Sequence, residues 1–317
     1  METRIGVLGI GGTGGYFGGK LATFYKDSDG VKVIFIARNE TKSLIRKQGL
    51  QVESVEGDFS INPSLVSDDP TEIGPLDILF VCVKSYSLEE ATSKYIHNVK
   101  KGGIVITIQN SVSQLETLQN ILPEGVTHLE GCAYILSNKI DIGHIRHKGG
   151  PATIFFGNDT TTEEFEWAED IFTQAGVKAT LTNAISKTIW KKFLFISPLA
   201  VATSYFTCTI GALRSSPEKF NFLKGLMEEL FDLIKAKGIG LSTGEVEDHL
   251  LFLENLPENG KTSLQLDMES GNPSEIDSLL EYVLEASKQH GLACDNYQLA
   301  YNKLKGRQPK DGQHKSP

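Results

Sequence analysis

Short apolar runs and helix-like stretches alternate through the first half of the chain. Arg4–Leu8, Val31–Ile36, Ile78–Val83 and Ile104–Ile108 read as strands, while the segments from about Gly14 and over Leu88–Ile96 read as helices. This alternation is the grammar of a parallel βαβ sheet. The strands are continuous apolar runs, Ile78-Leu79-Phe80-Val81-Cys82-Val83 being the clearest, as strands covered by helices on both faces must be. From Ser186 the period changes. Helical patterns fill Ser186–Thr203, Pro217–Lys237, Thr243–Leu253 and Pro273–His290, and strand-like runs almost vanish after Val177–Leu181. The pattern predicts an α/β fold: an N-terminal Rossmann-like parallel-sheet domain over residues 1–182, followed by an all-α domain over 183–317. The polar tail Gly306–Pro317 is expected to fray.

Composition narrows the classes of function. A chain of 317 residues is too long for one modest core, so two domains are expected. With 31 Lys+Arg against 40 Asp+Glu the formal net charge is −9, which argues against nucleic acid or an anionic membrane as partner, since either needs a basic face. Cys82, Cys132, Cys208 and Cys294 are far apart, offering neither a metal-type pair nor a disulfide framework; reduced thiols of a cytoplasmic protein are the expectation. The N-terminus carries no signal-peptide pattern. The longest nearly apolar run, Phe193–Phe206, contains Ser197 and Pro198 and falls short of the roughly 20 residues that span a bilayer, so it reads as core. Trp190, Phe193 and Phe195 read as packing residues. His144 and His147 lie in a basic segment with Arg146 and Lys148 and lack a third ligand type nearby, so no metal is expected.

One motif carries chemistry. Gly9-Ile10-Gly11-Gly12-Thr13-Gly14 fits Gly-x-Gly-x-x-Gly and stands between a strand and a helical segment, the context a dinucleotide-binding turn requires. Gly9 makes the tight turn, Gly11 lets a pyrophosphate approach the backbone, and Gly14 lets helix and strand pack closely, with the anion on the helix N-terminal amides. Gly14 to Lys20 nearly reproduces a triphosphate P-loop, but position 21 is Leu and the magnesium-binding hydroxyl is missing. The second strand ends in Ala37-Arg38-Asn39, with no acid to accept from a ribose 2′-OH. Arg38, with Lys42 nearby, favours a 2′-phosphate and hence NADPH. Ligands of open parallel sheets bind beyond the carboxyl ends of the strands, which singles out Lys84 and Asn110. Either could face nicotinamide and substrate or cap the next helix, and Asn110 is a good N-cap type.

Taken together, the Gly-rich turn, Val83-Lys84, Gln109-Asn110, Ile189-Trp190-Lys191-Lys192-Phe193, and Thr262-Ser263 with Ser274-Glu275-Ile276-Asp277 resemble the ketopantoate reductase (2-dehydropantoate 2-reductase) family. The resemblance implies reduction of ketopantoate to pantoate by NADPH, a step in making pantothenate. It places the family's catalytic lysine on Lys192 and its catalytic-site glutamate on Glu275. Substrate binding falls on Ser263 and Asn110, and cofactor binding on Gly9, Gly11, Gly12, Gly14, Arg38, Lys84 and Asn110. Helical second domains of such reductases often pair, so a homodimer is a candidate assembly. A lysine ammonium can stabilise an alkoxide and deliver its proton. Two features pull the other way. Asn272-Pro273-Ser274-Glu275 also has the pattern of a helix capping box with Pro at the first helical position. The family commonly carries asparagines four and eight residues after its lysine, where this chain has Ile196 and Ala200, leaving Ser197 and Thr203 as stand-ins. That points to a second substrate class, a more apolar 2-oxo acid; a non-catalytic dinucleotide-binding module is the third reading. Pro198 is expected to kink its helix.

Overall fold

A computed structural model of the protein describes residues 2–160 and 162–307; the expected fraying beyond residue 307 lies outside the described residues. Contacts divide the chain into two compact units, residues 1–109 with 113–186, and residues 110–112 with 187–317.

The first unit is α/β. Its strands are β1 (Thr3–Leu8), β2 (Val31–Ile36), β3 (Leu50–Ser54), β4 (Phe59–Ile61), β5 (Leu65–Ser67), β6 (Leu76–Val81), β7 (Val99–Thr107), β8 (Thr127–Asp141), β9 (His144–Gly157) and β10 (Lys178–Thr182). Its helices are α1 (Gly12–Phe24), α2 (Asn39–Gln48), α3 (Pro70–Ile73), α4 (Leu88–Tyr95), α5 (Gln114–Leu118) and α6 (Glu166–Gln174). The strands form one sheet in the order β4-β3-β9-β8-β7-β6-β1-β2-β5, with β10 beside β9. Pairs from β5 through β8 are parallel. Alternate residues of β6 enter different cores: Ile78 and Phe80 join the cluster containing Phe17 and Leu21 of α1, whereas Leu79 and Val81 join the cluster containing Leu88 and Tyr95 of α4. Both faces are therefore apolar, which is why the strand reads as an unbroken run.

The pattern did not disclose β3, β4, β5, β8 or β9. β8 and β9 form a long antiparallel hairpin that turns at Ile142-Gly143, where Gly143 takes φ +68, and its register shifts repeatedly. The half of β8 nearest that turn is largely polar and exposed, so it shows no alternation to read.

The second unit is helical: α7 (Ile185–Phe206, of which the first two residues count with the first unit), α8 (Ile210–Arg214), α9 (Pro217–Ala236), α10 (Glu245–Leu253), α11 (Ser263–Glu269), a π-helical turn Asp277–Glu281, α12 (Tyr282–Gln289) and α13 (Asp295–Leu304). Leu223, Leu226, Met227, Leu230, Leu233 and Ile234 of α9 recur at helical spacing and pack with Trp190, Phe193 and Leu194 of α7. α7 runs through Pro198 without interruption, although Pro198 has no N–H to give the Leu194 carbonyl. The expected helix from Pro273 begins later. Glu275 precedes its first turn, so Asn272–Glu275 is not the capping box its spacing suggested. No helix among the described residues is long and apolar enough to cross a membrane.

Candidate active site

The Gly-rich turn joins β1 to α1, and each glycine has its own physical reason. Gly9 has φ +95, and a Cβ there would meet the Val83 N at 2.8 Å. A Cβ on Gly14 would lie 2.1 Å from the Gly9 carbonyl and 2.9 Å from Cys82 Cβ, so only glycine lets the helix start this close to β1 and the end of β6. Gly12 is pressed by protein as well: its Cβ would fall 2.2 Å from the Ser137 carbonyl of β8, and Ser137 Oγ donates to the Gly12 carbonyl. Gly11 differs, since a Cβ there would meet nothing within 4 Å. Gly11 is the N-cap of α1, with no capping side chain and no acid in the first turn. Open space beside uncapped amides fits an anion, and hence a dinucleotide pyrophosphate.

At the end of β2, Arg38 is exposed as the N-cap residue of α2 and makes no side-chain hydrogen bond or ion pair among the described residues. Asn39 follows in the left-handed region at φ 53, which Asn tolerates. Lys42, by contrast, is committed: its Nζ lies 2.6 Å from Asp68 Oδ1 and holds that carboxyl below the usual range. Arg38 alone is the open cation of this pair.

Beyond β6, Lys84 is half-buried at the N-cap of the short turn Ser85–Ser87. Beyond β7, Asn110 is not a helix cap, because α5 begins only at Gln114 with Ser113 as its N-cap. Asn110 Oδ1 instead accepts a 2.9 Å hydrogen bond from Lys192 Nζ on α7. Residues far apart in sequence are thus brought together, and Asn110 Nδ2 has no partner among the described residues. Lys192 is 8% exposed. Its neighbour Lys191 turns the other way, pairing with Glu245 at 2.9 Å, while its carbonyl accepts from His249 Nε2. Of the two adjacent lysines, the buried one meets Asn110. Gln109 is buried, and neither of its side-chain polar atoms has a partner among the described residues.

Glu275 is 4% exposed and lies just before the π-helical turn, its carbonyl accepting from Leu279 N. Ser263 is exposed as the first residue of α11, after Thr262, which caps that helix. The stand-ins for the missing asparagines are spent. Ser197 Oγ donates to the Leu279 carbonyl at 2.6 Å and shares a 2.7 Å bond with Tyr297 Oη; Thr203 Oγ1 donates to the Leu199 carbonyl and meets Thr262 Oγ1 at 2.9 Å. Both residues are fully buried and bonded within the protein, so neither offers a free hydroxyl beside Ile196 and Ala200; the unpartnered hydroxyl among the described residues of this face is Ser204 Oγ, buried one turn past Ala200. His144 pairs with Glu53 at 2.8 Å, and His147 bonds Ser54 Oγ and the Gly149 carbonyl.

The family description Ketopantoate reductase PanE/ApbA matches residues 5–160, and Ketopantoate reductase PanE/ApbA C terminal matches residues 184–308. The chain belongs to the ketopantoate reductase family. It is 27% identical to the uncharacterised oxidoreductase YkpB of Bacillus subtilis (strain 168), covering 94% of this chain and 96% of that protein. It is 26% identical to a 2-dehydropantoate 2-reductase of Halobacterium salinarum, covering 92% and 94%. A crystal structure of 2-dehydropantoate 2-reductase from Porphyromonas gingivalis W83 superimposes with a TM-score of 0.82 at 27% identity, covering 96% of this chain and 99% of that one. The ketopantoate reductase family comprises nicotinamide-dinucleotide-dependent reductases of small molecules, and this member is an oxidoreductase.

Proposed function

We propose that this oxidoreductase uses NADPH to reduce ketopantoate (2-dehydropantoate) to pantoate, a step in making pantothenate. The observation that carries the reading is the buried ammonium of Lys192 held 2.9 Å from Asn110 Oδ1, in a chain that also buries Glu275. The turn Gly9, Gly11, Gly12 and Gly14 would hold the pyrophosphate on the α1 amides, Arg38 the 2′-phosphate, and Lys84 and Asn110 the nicotinamide end. When bound, the reduced nicotinamide supplies a hydride to the keto carbon. The protein's task is the oxygen. As the C=O bond opens, the oxygen gains negative charge, and Lys192 Nζ lies in surroundings where a fixed cation acts strongly because little water screens it. Lys192 then gives that oxygen a proton, leaving an alcohol and a neutral amine that is reprotonated from solvent. Asn110 fixes the direction of the ammonium through Oδ1 and keeps Nδ2 to donate to the substrate. Glu275 holds a substrate hydroxyl or the ammonium, and Ser263 the substrate carboxylate.

A second reading has its own support. Ile196 and Ala200 stand where the family's asparagines would, and Ser197 and Thr203 are bonded internally. Such a wall suits a 2-oxo acid with an apolar side chain, because a polar substrate group left unpaired there loses its hydrogen bonds with water. NADPH oxidation measured over a panel of 2-oxo acids tests both. The first reading expects the highest kcat/KM on ketopantoate, and the second expects it on a branched or aromatic 2-oxo acid. Tight NADPH binding with turnover of none would overturn both in favour of a dinucleotide-binding module.

A further inference from the structure

Asn110 sits on a short bridge, residues 110–112, between two segments of the first unit, and both are fastened to the Gly131 carbonyl of β8. On the near side, β7 ends at Thr107, Ile108 N donates to the Val81 carbonyl, and Gln109 N donates to the Gly131 carbonyl at 3.3 Å. On the far side, Gln114, the first residue of α5, sends Nε2 to that same Gly131 carbonyl at 3.1 Å, and Leu115 N donates to Glu130 Oε1 at 3.1 Å. A buried side-chain chain links the two sides. Thr107 Oγ1 lies 2.6 Å from Gln114 Oε1 and 2.8 Å from His128 Nε2.

The directions of these bonds follow from the donors available. Because Gln114 Nε2 faces a carbonyl, its Oε1 is the end that faces Thr107, and it can only accept. The single Thr107 proton therefore goes to Gln114, and His128 Nε2 must carry the proton that Thr107 Oγ1 accepts. His128 is then the neutral Nε2–H tautomer, consistent with burial pushing its pKa down to about 4. The remaining nitrogen, Nδ1, is buried and has no partner among the described residues. Gly131 is needed at the junction, since a Cβ there would meet the Phe155 carbonyl at 2.6 Å, Ile108 Cδ1 at 2.8 Å and the Thr107 carbonyl at 2.9 Å.

We propose that the buried chain His128–Thr107–Gln114–Gly131 is the positioning device that sets Asn110 against Lys192. Three residues spanning two fixed points have few conformations, so the Asn110 amide inherits its place from the anchors. Thr107, Gln114 and His128 act through Asn110 and touch neither substrate nor cofactor. The proposal rests on Asn110 being a working group of the site, as proposed above.

A double-mutant cycle on the full chain tests it, with NADPH and the best 2-oxo acid of the panel. Thr107→Val removes one hydroxyl at nearly constant shape and should lower kcat roughly 10-fold, with KM for NADPH within about twofold of the parent. Thr107→Ser, which restores the hydroxyl, should recover most of the loss. In an Asn110→Ala background, Thr107→Val should change kcat less than about twofold, because there is no amide left to position. Equal losses in both backgrounds, or no loss in a Thr107→Val protein that melts like the parent, would overturn the proposal. If Asn110→Ala alone leaves kcat unchanged, the reading of Asn110 fails and takes the proposal with it. Should Thr107→Val melt early, His128→Gln, which keeps a donor, is compared with His128→Leu, which does not. A loss of kcat confined to His128→Leu supports the relay, and equal kcat in the two refutes it.

Discussion

At the scale of single residues, the proposed preference for NADPH rests on one side chain. Lys42 is tied to Asp68, so Arg38 alone is left to meet a 2′-phosphate. Arg38→Ala should weaken NADPH binding by on the order of 1.5–3 kcal/mol, the worth of a charge-assisted hydrogen bond, and leave NADH binding nearly unchanged. Titrations of both cofactors against both proteins check this, and equal losses would remove Arg38 from the assignment. Glu130 yields a prediction of another kind. Burial, with Asp159 and Glu116 adding like charge, pushes its carboxyl up to about 7 against the lowering effect of the Leu115 N–H. The folded protein therefore binds this proton more tightly than the unfolded chain does. The stabilisation is complete below the unfolded value near 4.5 and is lost as pH rises through about 7. At about 1.4 kcal/mol per pKa unit the loss is at most about 3.5 kcal/mol. Glu130→Gln keeps an acceptor for Leu115 N without the charge. Urea unfolding from about pH 4 to pH 8 should find the variant equal to the parent at the acid end and more stable at the alkaline end; parallel curves would show that Glu130 ionises without cost.

At the scale of elements, the proposed choice of substrate turns on α7. Its apolar length was plain in the sequence, because Trp190, Phe193, Leu194 and Val201 fall at helical spacing and all are buried. What the hydroxyls on it do was not legible. Ser197 and Thr203 looked equally able to face a ligand, and only the approach of Leu279, Tyr297 and Thr262 from other segments commits them to the interior. The start of the helix after Pro273 was misread for a related reason. Local spacing at Asn272–Glu275 satisfied a capping rule, but Glu275 stands in a bend just before the first helical residue, Ile276, which leads directly into a π-helical turn, a feature frequent at functional sites. If the wall of α7 selects an apolar substrate, Ile196→Asn should shift the ratio of kcat/KM between ketopantoate and the best apolar 2-oxo acid roughly 10-fold toward ketopantoate. The ratio is measured by competing the two substrates, with thermal melting run alongside because Ile196 also packs on the helical core. An unchanged ratio with an intact fold would show that Ile196 does not line the substrate.

At the scale of the whole molecule, the parts of the first unit governed by local rules were readable: the Gly-rich turn, the apolar strands β1, β2 and β6, and the switch to helical period after Ser186. The β8–β9 hairpin, the bonding of Asn110 to Lys192 and the buried relay from His128 depend on pairings between distant segments, and no local pattern encodes them. The family resemblance supplied Lys192 and Glu275 where spacing alone did not. The division into units also gives the most decisive experiment, because the Gly9–Gly14 turn and Lys192 belong to different ones. A ligand that binds only the folded state stabilises it by RT ln(1 + [L]/Kd), about 2.7 kcal/mol at a hundredfold excess over Kd, wherever on the chain it binds. If the turn holds NADPH and Lys192 supplies charge and proton to the substrate oxygen, Lys192→Ala should keep the NADPH-induced rise in melting temperature while kcat falls by roughly 10²–10⁴. The contribution of Glu275 is read from the double variant: two groups acting as one unit lose less together than the sum of their separate losses. Near-normal turnover in Lys192→Ala on the best panel substrate would remove the proposed chemistry. Loss of both turnover and the NADPH shift would instead mean that Lys192 maintains the fold or the cofactor site, and melting in the absence of cofactor separates those two cases.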